Sequence, residues 1–337
     1  MKLPKQWFAI LFGLALLVFT GYLLLDTFLI PHVYAVVSTE TTSESTETQE
    51  MIAIAEETDA NETIAIVTDA DTNEPILFIN ADAETETAET ALSQETVVTE
   101  TSYSDGNISV ELTTYRYLNT DVYVADVQLA DADYLKTAFA QNTYGRNITQ
   151  KTSAMADSVD AILAINGDYY GAQRSGYVIR NGVLYRDTSS GSEDLVVYQD
   201  GSFGIVNESE ITAQELINEG AWNVLCFGPA LVTDGGIAVD ENDEVGRAMA
   251  SNPRTAIGVM DDLHYVFVVA DGRTSENDGL SLYELAELMQ SLGCTTAYNL
   301  DGGGSSSMVF LGEVINNPVN GRKSSERSVS DIVYIGY

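Results

Sequence analysis

The chain has 337 residues, with 51 acidic against 15 basic side chains and a formal net charge of −36. That length holds one large domain or two small ones, and the charge argues against nucleic acid, whose phosphates need a basic face. Only two histidines and two cysteines occur, so Ser-His-Asp hydrolysis, Cys-His chemistry and histidine-ligated zinc are poorly supplied.

Residues 1–37 read as an N-terminal transmembrane signal-anchor. Nineteen uncharged residues from Trp7 to Leu25 follow Lys2 and Lys5, long enough to span a bilayer as a helix with its start in the cytoplasm. A signal peptide cut near Val33-Tyr34-Ala35 is the rival, but the apolar run exceeds a usual signal core. The expectation is therefore a single-pass protein of the cell membrane with its folded domain extracellular. Residues 38–102 form an acidic, Thr- and Glu-rich stretch, and no Lys or Arg occurs between Lys5 and Arg116. Such composition is expected to stay extended and disordered, as a spacer. Two apolar islands, Thr63 to Thr68 and Ile76 to Ile79, interrupt it and could pair transiently.

Residues 103–337 carry the folded domain. Tyr123 to Leu129 alternates as a half-buried strand does, and Ala161 to Ile165 is a continuous apolar run that ends in Asn166-Gly-Asp-Tyr-Tyr170. Asn181-Gly182 between Tyr177–Arg180 and Val183–Tyr185 predicts a type I′ hairpin, with a second turn at Asp200-Gly201. Further strands are expected over Thr255 to Met260 and Tyr265 to Ala270. Ser281-Leu-Tyr-Glu284 is a capping box opening a helix to Leu292, stopped by Gly293, with one apolar face. A shorter helix is expected over Ala213 to Asn218. Strands outnumber helices, so the expected class is α+β, mixed twisted sheets with a few packed helices. Neither a repeat nor a GxGxxG or Walker-type loop is present. Cys226 and Cys294 sit in apolar surroundings. An exported chain permits a bridge between them, two buried thiols would pack equally well, and spacing does not decide.

The candidate chemistry is carboxylate, arginine and glycine-shaped backbone. Asn299-Leu-Asp-Gly-Gly-Gly-Ser-Ser306 delivers Asp301 from a strand into glycines, where backbone can approach a ligand closely. A tight turn with Asp301 capping amides is the plainer reading of that stretch alone. The domain has ten Arg and three Lys, and Arg174, Arg180, Arg254, Arg273 and Arg327 fall at strand ends beside Gly, Asp, Asn or Glu. Arg binds phosphate or carboxylate through a fixed fork, so the group including Arg254 and Arg273 points to an anion site. Asp168, Asp271, Asp301 and Glu326 are the acidic candidates. Cleaving a glycosyl phosphate needs charge stabilisation at the sugar but little help for a leaving group that departs as a held anion. Tyr169 and Tyr170 could form a sugar-stacking wall. His264 reads as an exposed residue at a hairpin tip.

Asn166-Gly-Asp-Tyr-Tyr170, Asn252-Pro-Arg-Thr-Ala-Ile-Gly258, Asp271-Gly-Arg273, Asn299 to Ser306 and Glu326-Arg-Ser-Val329 occur in an order that resembles the phosphodiester glycosidase family. The resemblance covers residues 107–337. It implies hydrolysis of a sugar-1-phosphodiester of the GlcNAc-1-phosphate type at the anomeric carbon. It places Asp168, Arg254, Asp271, Arg273, Asn299, Asp301, Gly302, Gly303, Ser305 and Glu326 at the site, beside which Tyr170 would bind substrate. On this reading Arg254 and Arg273 hold the phosphate with backbone donors from Gly302 to Ser305. Asp301 stabilises or attacks the anomeric centre, and Asp271 or Glu326 handles the proton or water. The chain lacks the cysteine-rich extension of the family's lysosomal member and has its membrane segment at the other end. It looks more like a Gram-positive surface protein acting on cell-wall or exopolysaccharide phosphodiesters. No cofactor is expected to be required. Carboxylates and carbonyls would suit a structural calcium, although no loop has a recognisable calcium spacing. Two alternatives are a non-catalytic cell-wall glycan-binding module and a phosphodiesterase cleaving P–O with metal on Asp168, Asp271 and Asp301.

Overall fold

The computed structural model describes residues 5–36, 66–68, 75–77, 96–240, 251–321 and 323–337. Two compact units are present, residues 38–93 forming one and residues 1–37 with 94–337 the other. In the smaller unit Ile66–Thr68 pairs antiparallel with Pro75–Leu77, which joins parts of the two apolar islands; the rest of the expected spacer up to residue 95 lies outside the described residues.

The larger unit opens with α1 (Lys5–Phe28), β1 (His32–Val36), β2 (Ile108–Tyr117), β3 (Thr120–Leu129), β4 (Leu135–Phe139) and β5 (Thr143–Arg146). Next come α2 (Thr152–Ser158), β6 (Leu163–Asn166), β7 (Val178–Arg180), β8 (Val183–Arg186), β9 (Glu193–Tyr198) and β10 (Phe203–Asn207). They are followed by α3 (Ala213–Asn218), β11 (Ala221–Leu225), β12 (Ala230–Thr233), β13 (Arg254–Asp261) and β14 (His264–Ala270). The chain closes with α4 (Leu282–Ser291), β15 (Thr296–Asn299), β16 (Met308–Phe310) and β17 (Asp331–Ile335).

The fold is α+β, as expected, and its sheets are antiparallel. In a nine-stranded sheet β12, β15, β13, β14, β3 and β2 are successive neighbours, and Ser102–Ser104 and Val97–Val98 extend one edge. One five-stranded sheet contains β16, β6, β17 and β4. The other has the order β8, β7, β11, β9, β10. Ile108, Val127, Leu163, Ile165, Phe267, Tyr298, Met308 and Val333 form the core shared by the nine-stranded sheet and the sheet of β6 and β17. That shared core brings the ends of β6 and β15 and the start of β13 together, and the site is built there.

Local chemistry explains the elements. Asn181 and Gly182 take φ of 50° and 75° between β7 and β8, the left-handed pair a type I′ turn requires. Gly201 takes φ of 85° in the turn between β9 and β10. The capping box of α4 is present, Ser281 accepting from the Glu284 amide and Glu284 from the Ser281 amide. Leu282, Leu285, Ala286, Leu288 and Met289 of α4 lie buried against Val124, Val266, Val268 and Ala297 on the nine-stranded sheet. Each leucine so buried contributes roughly 1.5–3 kcal/mol. Cys226 and Cys294 are free thiols. His264 bonds Asp126 at 2.9 Å at the start of β14, remote in role from the site.

β1 adds to β5, with His32 opposite Arg146 and Val33 opposite Gly145. An added Cβ at Gly145 would stand 2.1 Å from the His32 carbonyl oxygen, so glycine is what lets the strands approach.

Candidate active site

Asp301 follows β15 directly, and its loop is stitched to the end of β6. Asn166 Nδ2 donates to Asp301 O at 2.6 Å, while Asn166 Oδ1 accepts from Thr255 Oγ1 at 2.8 Å and Ser307 N at 3.2 Å. The glycines then explain how arginines reach the backbone. Gly302 faces Pro253 O, where a Cβ would stand at 2.9 Å, and Gly303 N donates to the same oxygen at 2.8 Å. Gly303 has φ of 64°, in the region glycine favours, and its missing Cβ leaves room for the Arg273 guanidinium, which would be 2.9 Å away. Gly304 does the same for Arg327, at 2.8 Å. Two guanidinium groups therefore lie on adjacent glycines of one turn.

Around this turn opens a cleft of ≈ 1020 Å³, lined among others by Asn252, Arg254, Arg273, Asn299, Asp301, Gly302, Gly303 and Arg327. Asn252 Oδ1 accepts from Arg273 Nε and Nη2 at 3.2 and 2.9 Å, which aims the fork. Arg254 Nε donates to Leu280 O at 2.9 Å. Asn299 Nδ2 donates to Gly228 O at 2.7 Å, and its buried Oδ1 has no hydrogen-bond partner, leaving an acceptor beside the cleft. A second pocket of ≈ 390 Å³ holds Asp168, Tyr169, Asp301, Ser305 and Arg327 together with Phe28 and Leu29. Asp301 and Arg327 are thus common to both openings. Burial raises the pKa of Asp301, against the opposing pull of a Ser305 hydrogen bond and the Arg327 charge.

Asp168 belongs to a buried ion triad. Arg180 Nη2 lies 2.8 Å from Asp168 Oδ2 and 2.7 Å from Asp331 Oδ2. Asp168 also accepts from the amides of Tyr170 and Cys226, each at 2.9 Å. Gly167 has no Cβ because one would stand 2.4 Å from the Asp331 carboxylate. Burial alone would lower the Arg180 pKa, but Asp168 and Asp331 carry it above the ordinary value. Burial, then the Asp168 charge, raises that of Asp331.

Three of the sequence assignments need correction on geometry. Tyr170 is 1 % exposed, stacked on Tyr144 at 5.6 Å and 17° with Arg180 over its ring at 5.7 Å, so it offers no face to a sugar. Tyr169, 43 % exposed, is the one of the pair that lines the smaller pocket. Asp271 is buried, lines neither pocket, and accepts from Asn316 Nδ2 at 3.1 Å and Asn317 N at 3.0 Å. Glu326 accepts from Ser153 N at 2.9 Å and Ser153 Oγ at 2.6 Å, which caps the start of α2. Each holds structure through a partner distant in sequence. Arg327, next to Glu326 in sequence, is the residue of the two that lines both pockets.

The metal-ligand alternative is not favoured by the arrangement. Among the described residues, the cluster with ligand-range spacing is Asp194, Glu208 and Cys226, within 4.8 Å, and not Asp168, Asp271 and Asp301. Burial and then Glu208 push Asp194 up to about 9, while Glu208 accepts amides from Tyr177, Ser190 and Gly191.

The sequence model of the phosphodiester glycosidase family matches residues 160–336. The SPbeta prophage-derived uncharacterized protein YomE of Bacillus subtilis (strain 168) is 32% identical over 212 residues, covering 61% of this chain and 32% of YomE. Human N-acetylglucosamine-1-phosphodiester alpha-N-acetylglucosaminidase is 31% identical over 183 residues, covering 48% of this chain and 34% of the human protein. The chain thus spans about a third of the length of these curated relatives. The zebrafish enzyme of the same name, its catalytic domain auto-inhibited by pro-peptide, superposes with a TM-score of 0.55 at 19% identity. That match covers 68% of this chain and 83% of the zebrafish one. A hypothetical protein from Synechocystis gives 0.54 at 15% identity, covering 68% and 62%.

Proposed function

The chain belongs to the phosphodiester glycosidase family, and on that premise we propose that it hydrolyses a sugar-1-phosphodiester of the GlcNAc-1-phosphate type at the anomeric carbon. The observation that carries the proposal is the position of Asp301, common to both pockets and beside Arg327, with Arg273 on the next glycine. In the proposed pose the phosphate lies over the Gly302 to Gly304 turn, bound by Arg254, Arg273 and Arg327 and by backbone donors. The sugar occupies the larger cleft, where Asn299 Oδ1 accepts from one of its hydroxyls. Its anomeric carbon then faces Asp301.

Water attacks that carbon as the C1–O bond breaks, and the bonding electrons leave on the phosphate oxygen. Asp301 takes the proton released by the water and stabilises positive charge developing at C1. A carboxylate whose pKa is raised by burial is a better base for this work. The arginines hold the leaving phosphomonoester as an anion, so no separate acid is needed. Asp168, fixed by Arg180, lines the same smaller pocket as Asp301 and faces the proposed sugar from there. The roles expected of Asp271 and Glu326 fall to these two groups.

The proposed location is supported by α1, whose stretch Leu11–Phe28 is long and apolar enough to cross a membrane. Lys2 and Lys5 before it favour a cytoplasmic start, and on the proposed reading the folded domain lies outside the cell and acts on phosphodiesters of surface polymers. The test is the full chain in nanodiscs with UDP-GlcNAc and a GlcNAc-1-phosphodiester in oxygen-18 water. Label in the free sugar is the expected result. Label in the phosphate would establish P–O cleavage and overturn the proposal, and binding without turnover would make the domain a glycan-binding module.

A further inference from the structure

We propose that this site works at the membrane surface on sugar-1-phosphodiesters whose other ester is a membrane lipid, an inference that rests on the hydrolase reading above. The helix α1 ends against the folded domain. Its span Leu11–Phe28 is unburied over 18 residues, and at 1.5 Å per residue it measures about 27 Å, close to the hydrocarbon core. The last carbonyls of any helix lack partners within the helix, and lipid offers none. Here the folded domain provides them. Asn147 Nδ2 donates to Thr27 O at 3.2 Å and to Ile30 O at 3.0 Å, and Arg146 Nη2 to Thr27 O at 3.3 Å. The Arg146 charge also suits the negative end of the helix dipole. Two residues past Ile30, β1 enters its pairing with β5, and the Tyr34 ring lies 5.7 Å from that of Tyr144. From the end of the helix to the domain there is no slack.

The site shares that junction. Phe28 and Leu29, 69 % and 68 % exposed, line the same ≈ 390 Å³ pocket as Asp168, Asp301 and Arg327. Among surface phosphodiesters, an apolar lip continuous with a membrane helix offers no contact specific to the water-soluble part of a polymer. It does suit a hydrocarbon chain, which would run along Phe28 and Leu29 into the outer leaflet. The phosphate of such a lipid falls on Arg327 at the junction of the two pockets, and its sugar enters the larger cleft past Asp301. Hydrolysis with one water releases the free sugar to the solvent and leaves the lipid phosphomonoester in the membrane.

The test uses the full chain in nanodiscs carrying a polyprenyl N-acetylglucosaminyl phosphate, compared with UDP-GlcNAc in solution. The lipid-linked substrate is expected to be preferred by about tenfold or more in kcat/KM, through confinement to the same bilayer. Gly145→Ala supplies the control, because its Cβ meets the His32 backbone at 2.1 Å and must displace β1. That variant should lose the preference while its rate on UDP-GlcNAc stays within about twofold. Equal rates on the two substrates, or an equal loss on both in Gly145→Ala, overturn the inference. A higher rate of Gly145→Ala on UDP-GlcNAc also overturns it, since the segment would then be a plug. A nitroxide at position 169, placed by Tyr169→Cys in a Cys226→Ser background, reads the depth independently of turnover. Relaxation by lipid-soluble oxygen rather than an aqueous reagent is expected, and a purely aqueous label overturns the membrane placement. Absence of turnover on every substrate with an interfacial label would strike the hydrolase reading instead.

Discussion

Asp301 is the residue at which chemistry and stability pull apart. Its pKa is raised by burial, so between its ordinary and its raised value the folded state binds more protons than the unfolded one. Stability from this group is therefore fully present at low pH and declines as pH rises through the raised pKa. Asp301→Asn should abolish that decline, leaving a melting temperature at neutral pH equal to or above the parent's, while turnover falls on the order of a thousandfold. Thermal melts from pH 4 to 8 beside initial rates check both halves; a variant that keeps its activity removes Asp301 from the proposed mechanism. Neighbouring residues separate binding from support in the same way. Arg327→Lys keeps the charge but loses the planar fork, and about 10- to 100-fold should be lost in kcat/KM with folding unaffected. Glu326→Gln, one residue away, should instead cost about 1 kcal/mol of stability through the weakened cap on Ser153, with turnover unchanged. If the two outcomes were exchanged, the sequence-based choice of Glu326 would have been the better one.

Elements were legible where their causes are local. The helix α4 announces itself through Ser281 and Glu284 at one end, Gly293 at the other and a 3.6-residue apolar period between them, and it forms from Leu282 to Ser291. The hairpin of β7 and β8 follows from Asn181-Gly182 for the same reason. The turn after Asp301 was legible too, because three consecutive glycines after a strand mark close backbone approach, here to Pro253 O, Arg273 and Arg327. What stayed hidden depends on partners far along the chain. Nothing near Asp271 shows that Asn316 and Asn317 will occupy it, nothing near Tyr170 announces Tyr144 stacking on it, and nothing in His32–Val36 distinguishes a strand from the tail of an anchor. The glycine loop carries its own test. Gly304→Ala would push a Cβ to 2.8 Å from the Arg327 guanidinium, the movable end of a flexible side chain. The cost should therefore appear mostly in substrate affinity, with KM rising several-fold and stability changing by about 1 kcal/mol or less. Gly303→Ala, at φ of 64°, should also destabilise the fold by about 1 kcal/mol or more. Titration of substrate against each variant, with denaturant melts alongside, distinguishes a displaced arginine from a strained backbone.

At the scale of the whole molecule, the site depends on how two sheets are fastened together. Arg180 ends β7 in one five-stranded sheet, Asp331 begins β17 in the other, and Asp168 stands just past the end of β6 beside it. The triad is thus a polar rivet between sheets, all three side chains being buried. Arg180 also donates to Val224 O in β11, so a single guanidinium reaches three strands' worth of acceptors. A buried charge left without its partner costs about 3–5 kcal/mol. Arg180→Met removes the one cation and leaves two carboxylates facing each other, so it should destabilise the fold by at least that amount at neutral pH. Asp331→Asn is a different change. Its carboxyl already has a raised pKa because burial and Asp168 disfavour its charge, and the pairing of Arg180 with Asp168 survives the substitution. Its cost at pH 7 should be small. The parent's stability should also decline as pH rises through the Asp331 pKa, and that decline should vanish in Asp331→Asn. Denaturant unfolding of both variants from pH 5 to 9 reads the two effects together. A mild Arg180→Met would mean that packing alone aligns the sheets, and Asp168 would then owe its position to the amides of Tyr170 and Cys226 rather than to the cation between the sheets.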